Sequence, residues 1–278
     1  MTSSTLPQRI AVCSWSLQAA TPRDLAEKLQ ATGISRVQLA LDPLREEPAV
    51  WGGTEAILKQ AGITIVSGMF GCVGEDYSTL DTIRQTGGIA PDETWEQNLE
   101  NIRATVKIAT ELGLTLVTFH AGFVPHDPAD PDLAKMVGRL KTVAEIFAAA
   151  DMSVGLETGQ ETADGLAALL GELGQSNVIV NFDPANMLLY GKGDPIEALR
   201  VLAPWIRQVH VKDANESATP GTWGEEVAVG DGQVDWPSFF ATLADIKFTG
   251  DIVIEREAAE QRVADIRTAR EVVLKSIR

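Results

Sequence analysis

The sequence predicts an α/β fold, a single (β/α)8 TIM barrel, on three observations. Eight short runs rich in β-branched and apolar residues alternate strictly with eight segments of helical period, over 278 residues. Such alternation implies parallel strands joined by helical crossovers, and a chain of this length closes them naturally into a barrel. The first strand-to-helix turn, CSWSLQAATP, has no glycine, whereas an open doubly wound sheet usually announces itself with a glycine-rich one.

Element by element, strands are expected at 10–14 (IAVCS), 36–41 (RVQLAL), 63–67 (ITIVS), 114–120 (LTLVTFH), 152–157 (MSVGLE), 178–183 (VIVNFD), 206–211 (IRQVHV) and 251–256 (DIVIER). Helices are expected at about 22–32, 49–61, 92–112, 131–150, 162–173, 195–203, 236–246 and 257–276. Thr21-Pro22-Arg23-Asp24 and Asp194-Pro195-Ile196-Glu197 each combine an N-cap, a proline in the first turn and an acid three residues on. Gly33, Gly62, Gly113 and Gly174 stand where helices should stop. Residues 1–8 read as a disordered lead-in and 9–278 as one barrel domain, with no linker or internal repeat.

Charge narrows the function. With 39 Asp+Glu against 23 Lys+Arg the formal charge is −16, so phosphate backbones and anionic lipid are repelled, and neither a nucleic acid nor a membrane is expected as a partner. No apolar stretch reaches bilayer length, and MTSSTLPQRI lacks the basic start and apolar core of a secretory signal. Two cysteines, Cys13 and Cys72, make no disulfide framework, which suits a reducing cytoplasm. Three histidines, His120, His126 and His210, limit histidine-rich metal chemistry.

Two connections are long and glycine-rich: 68–91 after the third strand and 213–234 after the seventh. Both belong at the barrel's C-terminal face, where barrel enzymes keep their active sites, and they read as lids or binding loops.

The chemistry stands at the strand ends. His120, Glu157, Asp183, His210 and Glu255 close five consecutive strands. By alternation, His210 shares its face with Gln208 and Lys212, Asp183 with Asn181, and Glu255 with Val253, while the bulky apolar residues between them turn to the helices. A lone acid at a strand end is usually a cap or a surface pair; four groups in register on successive strands are a different pattern. Neighbouring strands lie about 4.7–4.9 Å apart, so Glu157, Asp183, His210 and Glu255 can converge over the axis. Three carboxylates that close need a cation. Oxygen donors with one nitrogen suit one divalent metal ion, Mn2+ foremost, with Mg2+, Co2+ and Zn2+ also compatible. Such a site would polarise a carbonyl and let Glu157 and Glu255 act as the acid–base pair on an enediolate.

The runs GLET (155–158), NFDPANMLLYGKGDP (181–195), VHVKD (209–213), GDGQVDWPSF (230–239) and IVIERE (252–257) resemble the xylose isomerase-like TIM barrel family, which includes sugar isomerases, tagatose/psicose 3-epimerases and inosose and dehydroshikimate dehydratases. The resemblance implies that Glu157, Asp183, His210 and Glu255 are metal ligands and that the two glutamates are catalytic. It also implies a small carbohydrate or polyol substrate and, as is common in the family, a homo-oligomer. Asn186 stands where the 3-epimerases carry a substrate-binding histidine, and no Arg occurs in 214–224. Lys212 resembles the HxKD pattern of other members.

The substrate-binding residues expected on these grounds are His120, Lys212, Asn186, Gln160 and Trp15. Glu161 is close enough to share the role of Gln160. Trp15, with Met69 and Phe70, would supply an apolar wall. His126 reads as an exposed loop residue, Trp236 as packing, and GDG at 230–232 as a turn without a phosphate-binding helix behind it. The expected activity is that of a divalent-metal-dependent sugar isomerase or epimerase. A lyase or dehydratase on a keto-sugar, inosose or 3-keto-glycoside is the first alternative, and a non-catalytic sugar-binding barrel the second.

Overall fold

Ten strands form in chain order among the residues described by the computed structural model, which are 6–125, 129–219 and 221–277. They are β1 (Ile10–Cys13), β2 (Arg36–Ala40), β3 (Thr64–Met69), β4 (Leu116–Phe119), β5 (Ser153–Glu157), β6 (Val178–Phe182), β7 (Ile206–Val211), β8 (Asp213–Asn215), β9 (Glu225–Val227) and β10 (Asp251–Ile254). Eight of them close a parallel barrel in the order β1-β2-β3-β4-β5-β6-β7-β10, and β10 pairs back onto β1 with Ala11 opposite Val253. β8 and β9 form a separate antiparallel hairpin in the loop after β7. Among the described residues no helix is long and apolar enough to cross a membrane.

Alternation sorts each strand as the sequence implies. Val117, Phe119, Val180, Phe182, Val209, Val211, Ile252 and Ile254 point outward into one core shared with the helices. Phe70 stacks on Phe119 at 4.8 Å within it, and each fully buried side chain of this size contributes roughly 1.5–3 kcal/mol. Ala11, Cys13 and Val253 form a second, small apolar cluster inside the barrel. Buried polar groups also bond across the interior. Ser67 Oγ donates to Gln208 Oε1 at 2.7 Å, Gln208 Nε2 to Asn181 Oδ1 at 3.2 Å, and Gln38 Nε2 to Thr118 Oγ1 at 2.8 Å. These groups are fully or almost fully buried, and their mutual bonds meet the cost of removing them from water.

The expected helix signals act as written. Thr21 accepts the Asp24 N–H, and Asp194 accepts those of Ile196 and Glu197. Gly33 and Gly174 end their helices in the left-handed region at φ 73° and 59°, which costs glycine least.

Boundaries differ where local chemistry interrupts. The helix expected over 49–61 is two pieces, Pro48–Trp51 and Thr54–Gln60, because the Gly52-Gly53 pair breaks a continuous turn. Three short α-helices lie in segments expected as loop: Asp42–Glu46, Leu80–Thr86, opened by a Thr79/Thr82 capping box, and Pro184–Leu189, capped by Asp183. The last helix starts at Arg262, not 257. Residues 1–5 of the lead-in lie outside the described residues. Leu6–Arg9, of which 6–8 were expected to be disordered, form a 3-10 turn, and Arg9 donates to the Gly250 carbonyl at 3.1 Å.

Candidate active site

At the C-terminal mouth, β5 ends in Glu157, β7 carries His210 one residue before its end, and Asp183 and Glu255 directly follow β6 and β10. One donor atom from each of these four buried residues lies within 4.8 Å of all the others. His210 Nδ1 is 3.4 Å from Glu157 Oε1, 3.4 Å from Glu255 Oε2 and 3.8 Å from Asp183 Oδ2.

Each side chain is aimed by what its other atoms do. Asp183 caps the helix Pro184–Leu189 with Oδ1, accepting the Ala185 and Asn186 N–H groups at 2.8 and 3.1 Å, so Oδ2 is left facing the cluster. Glu157 accepts from Asn186 Nδ2 on Oε1 and from Asn181 Nδ2 on Oε2, both at 3.1 Å. Glu255 accepts the Trp15 indole N–H on Oε1 at 2.7 Å and the Lys212 ammonium on Oε2 at 2.8 Å. His210 Nε2 lies 2.8 Å from Gln38 Oε1. A proton donated there leaves the Nδ1 lone pair toward the carboxylates. Gly159, at φ +135°, lets Asn186 come this close, since a Cβ there would lie 2.5 Å from the Asn186 Cβ.

The electrostatics follow from the crowding. Burial disfavours charge on Glu157, Asp183 and Glu255, yet the neighbouring cations prevail. His210 and His120 hold Glu157 below the usual glutamate range, Lys212 and His210 do so for Asp183, and Lys212 with His210 takes Glu255 down to about 2. Burial alone would lower the His210 pKa, but the acidic groups around it, Cys13, Glu157 and Glu255, raise it well above its ordinary value. Among the described residues, Asp183 Oδ2 and His210 Nδ1 have no hydrogen-bond partner. Asp183 Oδ2 has only the Lys212 ammonium beside it, at 3.4 Å; with the Nδ1 proton of His210 given up, these two atoms and the two further carboxylates are a donor set that a divalent cation satisfies.

A cavity of about 420 Å³ opens onto this cluster, with Trp15, Met69 and Phe70 along one side and Tyr77, Tyr190 and Trp223 along the lid. Both long connections reach it, the first through Tyr77 and the second through Trp223. Glu75 organises the first: its carboxylate accepts the Cys72 and Gly88 N–H groups at 3.3 and 2.9 Å. Asp213 organises the second, accepting the Gly230 N–H and the Trp236 indole N–H at 2.8 and 2.9 Å. Trp236 is therefore packing and GDG a turn.

Of the residues expected at the substrate, His120, Lys212, Asn186 and Trp15 line this cavity. His120 Nε2 lies 3.6 Å from Glu157 Oε1. Trp15 is more than an apolar wall, because its N–H holds Glu255. Gln160 is turned away: it is buried, hydrogen-bonds Tyr190 and lines a separate void of about 20 Å³. Three residues past Glu157 and beyond the end of β5, Gln160 is out of step with the inward-facing positions of that strand. Glu161 accepts the Val124 N–H at 2.6 Å and so holds the loop after β4. His126 lies outside the described residues. Glu257, absent from the sequence reading, accepts from Lys212 Nζ at 2.8 Å and lines the cavity. The alternation that joins His210 to Lys212 also joins Glu255 to Glu257, one step past the strand end.

The pattern of the xylose isomerase-like TIM barrel matches residues 24–277. The chain belongs to that family. It is similar to a xylose isomerase domain protein from Planctomyces limnophilus, at 33% identity and a TM-score of 0.84 over 90% of this chain and 91% of that one. It is also similar to an inosose dehydratase from Geobacillus kaustophilus, 26% identical over 230 residues that make up 73% of this chain and 70% of that protein. The D-psicose 3-epimerase of Clostridium cellulolyticum H10, solved with D-tagatose, shares the fold at 15% identity and a TM-score of 0.72, over 97% of this chain and 99% of that one. Sugar-modifying epimerases and dehydratases thus both stand among the relatives of this family member.

Proposed function

We propose that the chain is a divalent-metal-dependent sugar isomerase or epimerase that moves a proton beside the carbonyl of a carbohydrate or polyol, through an enediolate. The observation that carries this reading is the convergence of Glu157, Asp183, His210 and Glu255, in which two buried atoms, Asp183 Oδ2 and His210 Nδ1, have no hydrogen-bond partner among the described residues. Buried acids of this kind are tolerated where a cation neutralises them. Glu157, Asp183, His210 and Glu255 would hold the ion, and three oxygens with one nitrogen suit Mn2+ foremost. When bound, such an ion polarises a carbonyl and acidifies the adjoining C–H.

The chain's own residues do the rest. Glu157 takes the proton and later loses it to solvent, and Glu255 returns one passed to it by the Lys212 ammonium, which regains its own from solvent; return to the opposite face of the same carbon is epimerisation, and return to the neighbouring carbon is isomerisation. Asn181 and Asn186 steady the first carboxylate, Trp15 and Lys212 the second, so little reorganisation is needed at the moment of transfer. His120 and Lys212, at the cavity wall, would bind substrate oxygens.

A dehydratase acting on a keto-sugar, inosose or 3-keto-glycoside is the second reading, favoured by the 26% identity to an inosose dehydratase. It begins with the same proton abstraction and ends in loss of a β-hydroxyl. One experiment tests both: incubation with Mn2+ and a panel of ketoses, inososes and 3-keto-glycosides in D2O. Deuterium should enter the carbon beside the carbonyl, and the Glu157→Gln and Glu255→Gln variants should not exchange. Water loss in the same mixtures selects the second reading. Exchange undiminished in either variant would remove that glutamate from the acid–base pair.

A further inference from the structure

The cavity is lined by more acids than bases. Asp42, Glu75, Glu255 and Glu257 face it, whereas among the described residues Lys212 is the one Lys or Arg that does. That ammonium is already taken up: its Nζ lies 2.8 Å from Glu255 Oε2, 2.8 Å from Glu257 Oε2 and 3.4 Å from Asp183 Oδ2. Asp42 pairs with Arg45 at 2.8 Å, but Glu75 is held by backbone N–H groups and has no ion pair with a Lys or Arg among the described residues. A divalent ion and the Lys212 ammonium would together balance Glu157, Asp183 and Glu255, which leaves the charges of Glu75 and Glu257 over. The Glu257 side chain is 53% exposed, so its carboxylate meets whatever enters. Arg84 and Lys192, each 5.4 Å from the Phe123 ring, line a separate cavity. Most of the remaining wall is aromatic: Trp15, Phe70, Tyr77, Tyr190 and Trp223. Such rings present an electron-rich face, which packs against C–H groups and repels an anion.

We propose that the site selects an uncharged carbohydrate or polyol and rejects its phosphorylated and carboxylated counterparts, with Glu257 as a specificity-determining residue. The inference rests on the catalytic reading above and narrows its substrate class. A phosphate or carboxylate entering the cavity would give up its water, find its one Lys or Arg already shared by three acids, and stand beside Glu257. Juxtaposed like charges of this kind cost affinity. A sugar hydroxyl, by contrast, donates a hydrogen bond to the Glu257 carboxylate, and an ionised carboxylate has no proton to donate. Repelling the wrong ligand is as effective a source of specificity as attracting the right one. The formal charge of −16 acts in the same direction at longer range.

The test is ligand-observed saturation-transfer NMR on the full chain with Mg2+, comparing D-fructose with its 6-phosphate and a methyl 3-keto-glucoside with the corresponding uronic acid. At low salt the neutral member of each pair should bind at least about tenfold more tightly than the charged one. Glu257→Gln should narrow that ratio by about threefold or more, through weaker rejection of the anion. Sodium chloride at about 0.5 M should narrow it in the wild type as well. An anionic member bound as tightly as its neutral counterpart overturns the proposal, and so does failure of every neutral member to bind. A ratio untouched by Glu257→Gln overturns the part given to Glu257, because bulk and not charge would then exclude the anion. Should that variant not fold, the salt dependence decides, and a ratio insensitive to salt counts against the proposal. Neutral members that bind but exchange no deuterium sink the enediolate reading and leave the charge preference standing. A chain that binds neither Mg2+ nor Mn2+ sinks the metal reading by itself, and the same titrations without the ion then decide the preference.

Discussion

The hydrogen bond from His210 Nε2 to Gln38 Oε1 joins residues 172 positions apart and selects the nitrogen that faces the carboxylates. Gln38 is fully buried and is held in turn by Thr118, so its carbonyl is a fixed acceptor. Gln38→Leu preserves much of the volume and removes that acceptor. Mn2+ affinity is expected to fall roughly 10–100-fold, read by calorimetry, and unfolding free energy by about 1–3 kcal/mol for the orphaned N–H, read by urea denaturation. Unchanged affinity in the folded variant would mean that the imidazole is oriented by other contacts. At this scale much was legible: alternation alone places Gln208, Asn181 and Lys212 on the inner face with His210 and Asp183. Gln160 was not, because it lies three residues past Glu157 and beyond the end of β5, where nearness in sequence does not say which way a side chain points. Glu257 lay one alternation step beyond the expected strand end at 256, where the strand pattern was no longer applied.

Among elements, the two long loops carry the cavity, and each hangs on one carboxylate. Asp213 is fully buried and accepts the N–H groups of Ala214, Gly230, Gly232 and Val234 as well as the Trp236 indole. A Cβ on residue 232 would lie 2.2 Å from Asp213 Oδ1, so the loop is drawn tightly around the acid. Asp213→Ala leaves several of these donors without a partner, and a loss of about 3 kcal/mol in unfolding free energy is expected. Because Trp223 belongs to the same loop and to the cavity lid, limited proteolysis should also cut the variant faster within 213–234. Wild-type resistance to both would show that the hairpin of β8 and β9 suffices to hold the loop. The sequence reading found both loops by length and glycine content but not the helices inside or beside them. Asp183-Pro184 is the same cap-and-proline signal recognised at Asp194-Pro195; its use as a candidate ligand concealed its second role as a cap.

For the whole molecule, an excess of acids and a buried acidic cluster act together. Filling the cluster with a divalent ion should raise stability by mass action, about 2.7 kcal/mol at a hundredfold excess over the dissociation constant. For a chain of this size that is a rise of roughly 5–10 °C in Tm. Differential scanning fluorimetry with Mn2+, reversal by EDTA, and a sodium chloride control of equal ionic strength separate binding from screening of the formal charge of −16. A shift matched by sodium chloride would refute specific binding. The amino-acid sequence by itself determined the closed barrel, the face of each strand, the mouth that carries the chemistry and the four groups that converge there. All of these depend on period, capping and strand ends, which are local properties of the chain. Only the tertiary structure decided which atoms meet: the Trp15 indole on Glu255, Gln38 behind His210, and Lys212 shared among Asp183, Glu255 and Glu257. Those pairings depend on fractions of an ångström between strands far apart in the chain, and local periodicity holds no record of such distances.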